Sequence, residues 1–183
     1  MKIAIDVKSA AGEKTGKGWY TFHMVFNLLE LDKKNDYILY TKERVPGLES
    51  FKNIQVRIVK SMNIFWHLQV ARDLKKEKVD VYFSPTSYIT PAFISSSIKI
   101  ITTVHDLVAF LFPAQHNKKA TFIEKLFLKR TLKKSTKILT VSKNTKDDLL
   151  DRYAIDEDKI EVIPCSADEK FLPKKKETLS TFA

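Results

Sequence analysis

Lys2-Ile3-Ala4-Ile5-Asp6-Val7 is followed, after a short polar stretch, by Thr15-Gly16-Lys17-Gly18-Trp19-Tyr20, and the reading of these two segments decides the fold. The first is β-branched at Ile3, Ile5 and Val7 with little alternation, the pattern of a parallel strand buried on both faces. The second opens a helix over residues 16–31, marked at its start by glycines and carrying apolar positions at Tyr20, Val25, Leu28, Leu29 and Leu31. A buried strand leading through a glycine-bearing loop into a helix is the first half of a βαβ unit.

The same grammar recurs along the chain. Ser84-Pro85-Thr86-Ser87 follows an apolar run at 79–83, His105-Asp106 follows one at 98–104, and Ser142 follows one at 137–141. Further strands are expected at 37–40, 54–59 and 160–163, and further helices at 64–76, 121–134 and 143–153. The connection between the strands at 79–83 and 98–104 is rich in Ser, Thr and Pro and holds no long helix. Strands alternating with helices predict an α/β fold, a doubly wound, Rossmann-like parallel sheet forming a single domain. It is expected over residues 2–173, with a polar tail or linker over 174–183. Right-handed crossovers bring the Gly16 loop, Ser84, His105 and Ser142 to one rim, where open α/β sheets bind their ligands.

Composition narrows the function. A chain of 183 residues, 44% of them hydrophobic, supports one well-cored domain. The longest apolar stretch, residues 107–114, contains Pro113 and is far too short to span a bilayer. With no signal-peptide pattern and with Cys165 as the lone cysteine, a cytoplasmic protein is expected, and Cys165 reads as structural. The net charge of +10 gathers at Lys118, Lys119, Lys125, Lys129, Arg130, Lys133, Lys134 and Lys137 around an apolar stripe. This basic amphipathic helix has two readings, a solvated outer face or an attraction to anionic membranes and phosphorylated substrates. Nucleic acid is not an expected partner, because no stacking platform, zinc-finger pattern or helix-turn-helix accompanies the charge.

Each break carries its own chemistry. Gly16 and Gly18 at a helix start let backbone amides approach a phosphate, with Lys17 adding charge, although a plain turn fits the pattern as well. It is neither a dinucleotide fingerprint nor a P-loop. His105 offers a proton-sharing imidazole at a strand end, or a structural hydrogen bond, with Asp106 beside it as a partner or a loop cap. Ser142 reads as the N-cap of the helix that follows it.

Six short motifs then occur in a familiar order: residues 1–6 (MKIAID), 16–21 (GKGWYT), 80–85 (DVYFSP), 103–107 (TVHDL), 139–149 (LTVSKNTKDDL) and 159–164 (KIEVIP). In that order the chain resembles the amino-terminal half of glycosyltransferase family 4, enzymes of GT-B architecture. The resemblance implies a retaining transfer of sugar from a nucleotide-sugar donor to a glycan or lipid-linked acceptor. No metal or cofactor is expected, the nucleotide sugar being a substrate. It places Gly16, Lys17 and Gly18 against the donor diphosphate, His105 and Asp106 at the reaction centre, and Tyr20, Ser84, Thr86 and Ser142 on the acceptor side. Where the family more often has an aliphatic residue, Gly and Arg, this chain has Lys17-Gly18-Trp19, so the basic group is displaced.

In the family a second domain supplies an Arg, a Lys and a pair of glutamates for the donor, and nothing after Pro173 carries them. The expectation is an acceptor-side domain, inactive alone and completed by a donor-binding domain in cis or in trans, at work in the cytoplasm or peripherally at the inner membrane face. The alternative is a non-catalytic module that binds glycan or an anionic membrane.

Overall fold

The computed structural model describes residues 1–95, 97–108 and 118–166, with only the backbone of 118–124. The expected tail at 174–183 lies outside these residues. Seven strands form one sheet: β1 (Lys2–Asp6), β2 (Asp36–Thr41), β3 (Ile54–Ile58), β4 (Val81–Ser84), β5 (Lys99–Val104), β6 (Lys137–Thr140) and β7 (Ile160–Val162). Their order is β3-β2-β1-β4-β5-β6-β7, and every pairing is parallel. The helices are α1 (Gly16–Leu31), α2 (Asn63–Lys76), the short α3 (Ile89–Phe93), α4 (Lys118–Lys134) and α5 (Lys143–Arg152).

Consecutive strand residues face opposite layers, and both layers are apolar, which is why the strands read as unbroken hydrophobic runs. Ala4, Ile38, Tyr40 and Tyr82 pack with Trp66, Val70 and Leu74 of α2. Their neighbours Ile5, Leu39 and Phe83 pack with Val25 and Leu29 of α1 on the other face. A third cluster joins Leu128 and Leu132 of α4 and Leu149 of α5 to Val104, Ile138 and Ile160. Trp66 is fully buried, and truncating such an aromatic to Ala costs about 3–5 kcal/mol.

Two local features depart from the sequence reading for physical reasons. The strand expected from residue 79 begins at Val81 because Lys78 and Val79 close α2 instead. Lys78 takes a left-handed φ of 52°, while its N–H bonds Lys75 O at 3.2 Å and Val79 N–H bonds Leu74 O at 3.2 Å. This is a Schellman cap with lysine where glycine is the usual signal. The second feature is a 3-10 turn, Lys8–Ala10, that leaves β1 directly for the rim.

The strand order reverses between β1 and β4. The crossovers from β1 and β4 leave in opposite directions there, opening a crevice at the strands' carboxyl ends.

Candidate functional site

The crevice is built from four segments: the 3-10 turn after β1, the start of α1, the loop after β4 and the residues after β5. A line of hydroxyls ties the first three together. Thr86 Oγ1 donates to Ser9 Oγ at 3.3 Å, Ser9 Oγ lies 2.8 Å from Thr21 Oγ1, and Thr21 Oγ1 donates to Lys17 O at 3.0 Å. Thr86, expected on the acceptor side, and Lys17, expected at the donor diphosphate, are thus linked through Ser9 and Thr21.

The two glycines do different work. A methyl group added at Gly18 would sit 2.5 Å from the backbone oxygen of Ser9, so only glycine lets α1 close on the 3-10 turn. At Gly16 an added methyl meets nothing within 4 Å. Gly16 and Lys17 are exposed at the helix start, and Thr15, the N-cap residue, makes no side-chain bond to it. α1 therefore starts without a side-chain cap at the positive end of its dipole, where unsatisfied first amides suit an anion.

His105 sits half-buried across from them. Its Nε2 lies 2.9 Å from Pro85 O; a carbonyl only accepts, so Nε2 carries the proton and Nδ1 keeps its lone pair. Tyr20 packs edge-on against the imidazole with ring centroids 4.6 Å apart, and its hydroxyl lies 3.2 Å from Thr103 Oγ1. Burial lowers the His105 pKa; the bond to Pro85 opposes this, Lys17 adds to it, and Asp106 opposes it again. The ring is neutral at pH 7. Burial likewise raises the Tyr20 pKa, against the bond to Thr103 and with a smaller contribution from Cys165. Cys165, read from the sequence as structural, is an exposed free thiol.

The remaining expected residues hold the rim together. Ser84 is fully buried and its hydroxyl donates to Ser87 O at 2.6 Å, closing the loop after β4. Asp106 is exposed and its Oδ1 accepts the Val108 N–H at 3.2 Å. Ser142 Oγ accepts the Thr145 N–H at 3.1 Å as the N-cap of α5, and Thr145 Oγ1 donates to His105 O at 3.2 Å. Ser142 supports the segment that carries His105 through this contact.

Beneath the rim lies a polar cluster that no motif announced. Asp6 is buried; its Oδ1 accepts the Lys8 N–H at 3.0 Å, and its Oδ2 has no hydrogen-bond partner. Burial raises its pKa, and Lys8 pulls the other way. The Lys8 ammonium lies 4.1 Å from the Trp66 ring centroid and 3.4 Å from His67 Nε2, and His67 Nδ1 is 2.6 Å from Thr90 Oγ1. An ammonium only donates, so His67 accepts at Nε2 and donates from Nδ1. Burial, with Lys8 and Lys42, pushes the His67 pKa down to about 3. Among the described residues no three His, Cys, Asp or Glu side chains gather as a metal site.

The basic helix has a partly internal role. Arg130 Nε donates to Ala92 O at 2.7 Å, and Lys134 Nζ donates to Ala92 O at 3.1 Å and to Ile94 O at 2.5 Å, clamping α4 to α3. The side chains of Lys118 and Lys119 lie outside the described residues. No helix among the described residues is long and apolar enough to cross a membrane.

Comparison with known proteins places this geometry. Over 80 residues the chain is 35% identical to the O-antigen chain mannosyltransferase RfbU of Salmonella typhimurium, covering 44% of this chain and 22% of that one. A glycosyltransferase from Rickettsia africae superposes with a TM-score of 0.54 at 23% identity, covering 99% of this chain and 48% of the other. The S. aureus MnaA–UDP co-structure gives 0.58 at 14% identity, covering 88% of this chain and 44% of that one. The chain thus spans less than half the length of each of these relatives. The two structures establish the shared fold. The sequence model of Glycosyltransferase Family 4 matches residues 28–171, a span that includes Ser84, Thr86, His105 and Ser142 and begins after the Gly16 loop. By that match, over more than half its length, the chain belongs to glycosyltransferase family 4.

Proposed function

We propose that the chain is the acceptor-side domain of a retaining glycosyltransferase, which moves a sugar from a nucleotide-sugar donor to a glycan or lipid-linked acceptor. A donor-binding domain, in cis or in trans, completes the cleft, and the enzyme works in the cytoplasm beside the inner membrane face. The observation that carries the reading is the pairing, across one crevice, of uncapped α1 amides with a neutral His105 whose Nε2–H is held by Pro85.

In this reading the anomeric carbon–oxygen bond to the diphosphate breaks as the acceptor hydroxyl bonds to the same carbon, and the hydroxyl proton leaves with the diphosphate. Negative charge grows on the diphosphate, and stabilising it contributes most when donors are already aimed at it. The Gly16, Lys17 and Gly18 amides supply that field from this half of the cleft, with the Lys17 ammonium beside them and no metal ion assigned. His105 accepts a hydrogen bond from a hydroxyl of the transferred sugar through Nδ1 and fixes its orientation. Tyr20 holds the imidazole plane. Asp106 stands beside His105 at the reaction centre, Ser84 and Thr86 shape the acceptor side, and Ser142, as the cap of α5, supports the segment that carries His105.

The test uses the enzyme with both halves present. His105→Ala should lower turnover by roughly a hundredfold, the usual scale for a positioned polar group. Because burial holds its pKa below that of an ordinary imidazole, His105 stays neutral as pH rises, and its contribution is lost only on acidification. A variant that keeps normal turnover while losing several kcal/mol of stability would make His105 structural. A well-folded two-domain form with no transfer to any acceptor would favour the binding-module reading.

A further inference from the structure

Neighbouring strands β3, β2 and β1 each run out into a lysine at the carboxyl edge of the sheet. Their order sets Lys60, Lys42 and Lys8 side by side just past the strand ends. The register pairs Asp6 with Tyr40, and the ladder continues where Val7 N–H bonds Tyr40 O at 2.9 Å. Lys8 and Lys42 are next in line on the face that α2 covers. Lys8 reaches under that helix, its ammonium 4.1 Å from the Trp66 ring centroid and 3.4 Å from His67 Nε2. Lys42 stands exposed beside it. Burial lowers the Lys8 pKa, Asp6 opposes this, and the Lys42 charge adds to it.

Converging ammoniums repel one another, a cost that an anion between them removes. Among the described residues Lys8, Lys42 and Lys60 form no ion pair. The carboxylates at hand do not balance them. Asp6 is buried with Oδ1 taken by the Lys8 N–H at 3.0 Å, and its single charge answers one lysine at most. Glu43 points away, its Oε1 3.0 Å from where a methyl at Gly12 would sit, in the loop that leads to α1. The Asp73 carboxylate lies about two turns further along α2 than Trp66, against the Tyr40 hydroxyl at 2.8 Å. α2 itself opens at this edge without a side-chain cap, so its first amides add to the positive field. In that first turn Trp66 is fully buried, and its indole N–H has no hydrogen-bond partner.

We propose that Lys8 and Lys42, with the first turn of α2 behind them, form a phosphate subsite, and that the acceptor is a phosphorylated molecule whose phosphoryl group binds there. Lysine meets phosphate as a point charge and helix amides meet it as donors. The subsite is separate from the donor's seat, since α2 and α1 cover opposite faces of the sheet. It adjoins the acceptor side instead. Ser9, next to Lys8, accepts the Thr86 hydroxyl at 3.3 Å. His67 Nδ1 lies 2.6 Å from Thr90 Oγ1, in α3 just past the loop that holds Ser84 and Thr86. Only the assignment to the acceptor rests on the proposed function, as phosphate binds without sugar transfer.

Titration of the isotope-labelled 183-residue chain with inorganic phosphate, at constant ionic strength, tests it by nuclear magnetic resonance. The amides of Ile64, Phe65 and Trp66 and the ring of His67 should shift together and saturate. Lys42→Ala and Lys8→Met should each weaken this binding by about tenfold or more, as loss of a charged hydrogen bond does, and Lys42→Arg should keep it. Lys42 is exposed, so its variants retain the fold, and circular dichroism checks Lys8→Met. Butyl phosphate and glucose 6-phosphate should bind at the same place, and the tighter of the two tells a lipid phosphate from a sugar phosphate. No saturable shift at the start of α2, shifts confined to Gly16–Gly18, or equal binding by Lys42→Glu overturns the proposal. Sugar transfer by the two-domain enzyme succeeds or fails independently of every one of these outcomes.

Discussion

Helices α1 and α5 start from the same rim of the sheet, and their first turns are treated in opposite ways. At α5 the Ser142 side chain accepts the Thr145 N–H and Thr145 Oγ1 reaches back to His105 O, so the helix end is closed on its own chain. At α1 the N-cap Thr15 makes no side-chain bond, and Gly16 has open space where a side chain would be. One helix start at the crevice is thus closed and its neighbour is bare, and the proposed function assigns the bare one to the donor. The difference also separates two glycines that look alike in the sequence, since Gly18 serves packing and Gly16 serves access.

The comparison can be broken by substitution, and the largest expected effect falls on packing. Gly18→Ala drives a methyl into the backbone oxygen of Ser9 and should cost about 1–3 kcal/mol in a denaturant titration. A neutral result would mean that the α1 start yields easily and is not held in register with the 3-10 turn.

Ser142→Ala removes a cap bond, which typically stabilises by about 1 kcal/mol. The two-domain enzyme carrying it should keep its KM for acceptor. If stability is unchanged and that KM rises, Ser142 belongs to the acceptor and α5 is not closed in the sense described.

The smallest change in stability is expected at Gly16. Gly16→Ala should alter it by no more than about 1 kcal/mol, in the stabilising direction, because alanine is the better helix former and nothing crowds the site. Its effect should appear as a higher KM for the nucleotide sugar. An unchanged KM would leave the bare helix start without a function.

Much of this was legible in the chain. The helix at 16–31 matches to the residue, because glycines mark its start and the apolar spacing carries it to Leu31. The parallel sheet followed from unbroken apolar strands separated by helices. The meeting of the Gly16 helix, the loop after Ser84, His105 and the Ser142 helix at one rim was legible because strand ends in such sheets converge. What was hidden depends on partners far apart in the chain. The contact of Lys8 with His67 spans 59 positions and that of His67 with Thr90 spans 23, and no local pattern reports such a pairing. The Schellman cap at Lys78 was hidden because a lysine occupies the left-handed position. Ser142 was legible as the N-cap of the helix that follows it, whereas Ser84 looks like an exposed polar loop residue in the sequence, yet it is buried in its own turn.

The central claim is that the start of α1, rather than the start of α5, receives the charge of the donor. Titrating the isotope-labelled chain with inorganic diphosphate, while following backbone amides by nuclear magnetic resonance, tests it directly. The account predicts that the amides of Gly16, Lys17 and Gly18 and the ring of His105 shift together and saturate, while those of Ser142 to Thr145 stay in place. Shifts centred on Ser142 to Thr145, or none at the α1 start up to millimolar diphosphate, would contradict it.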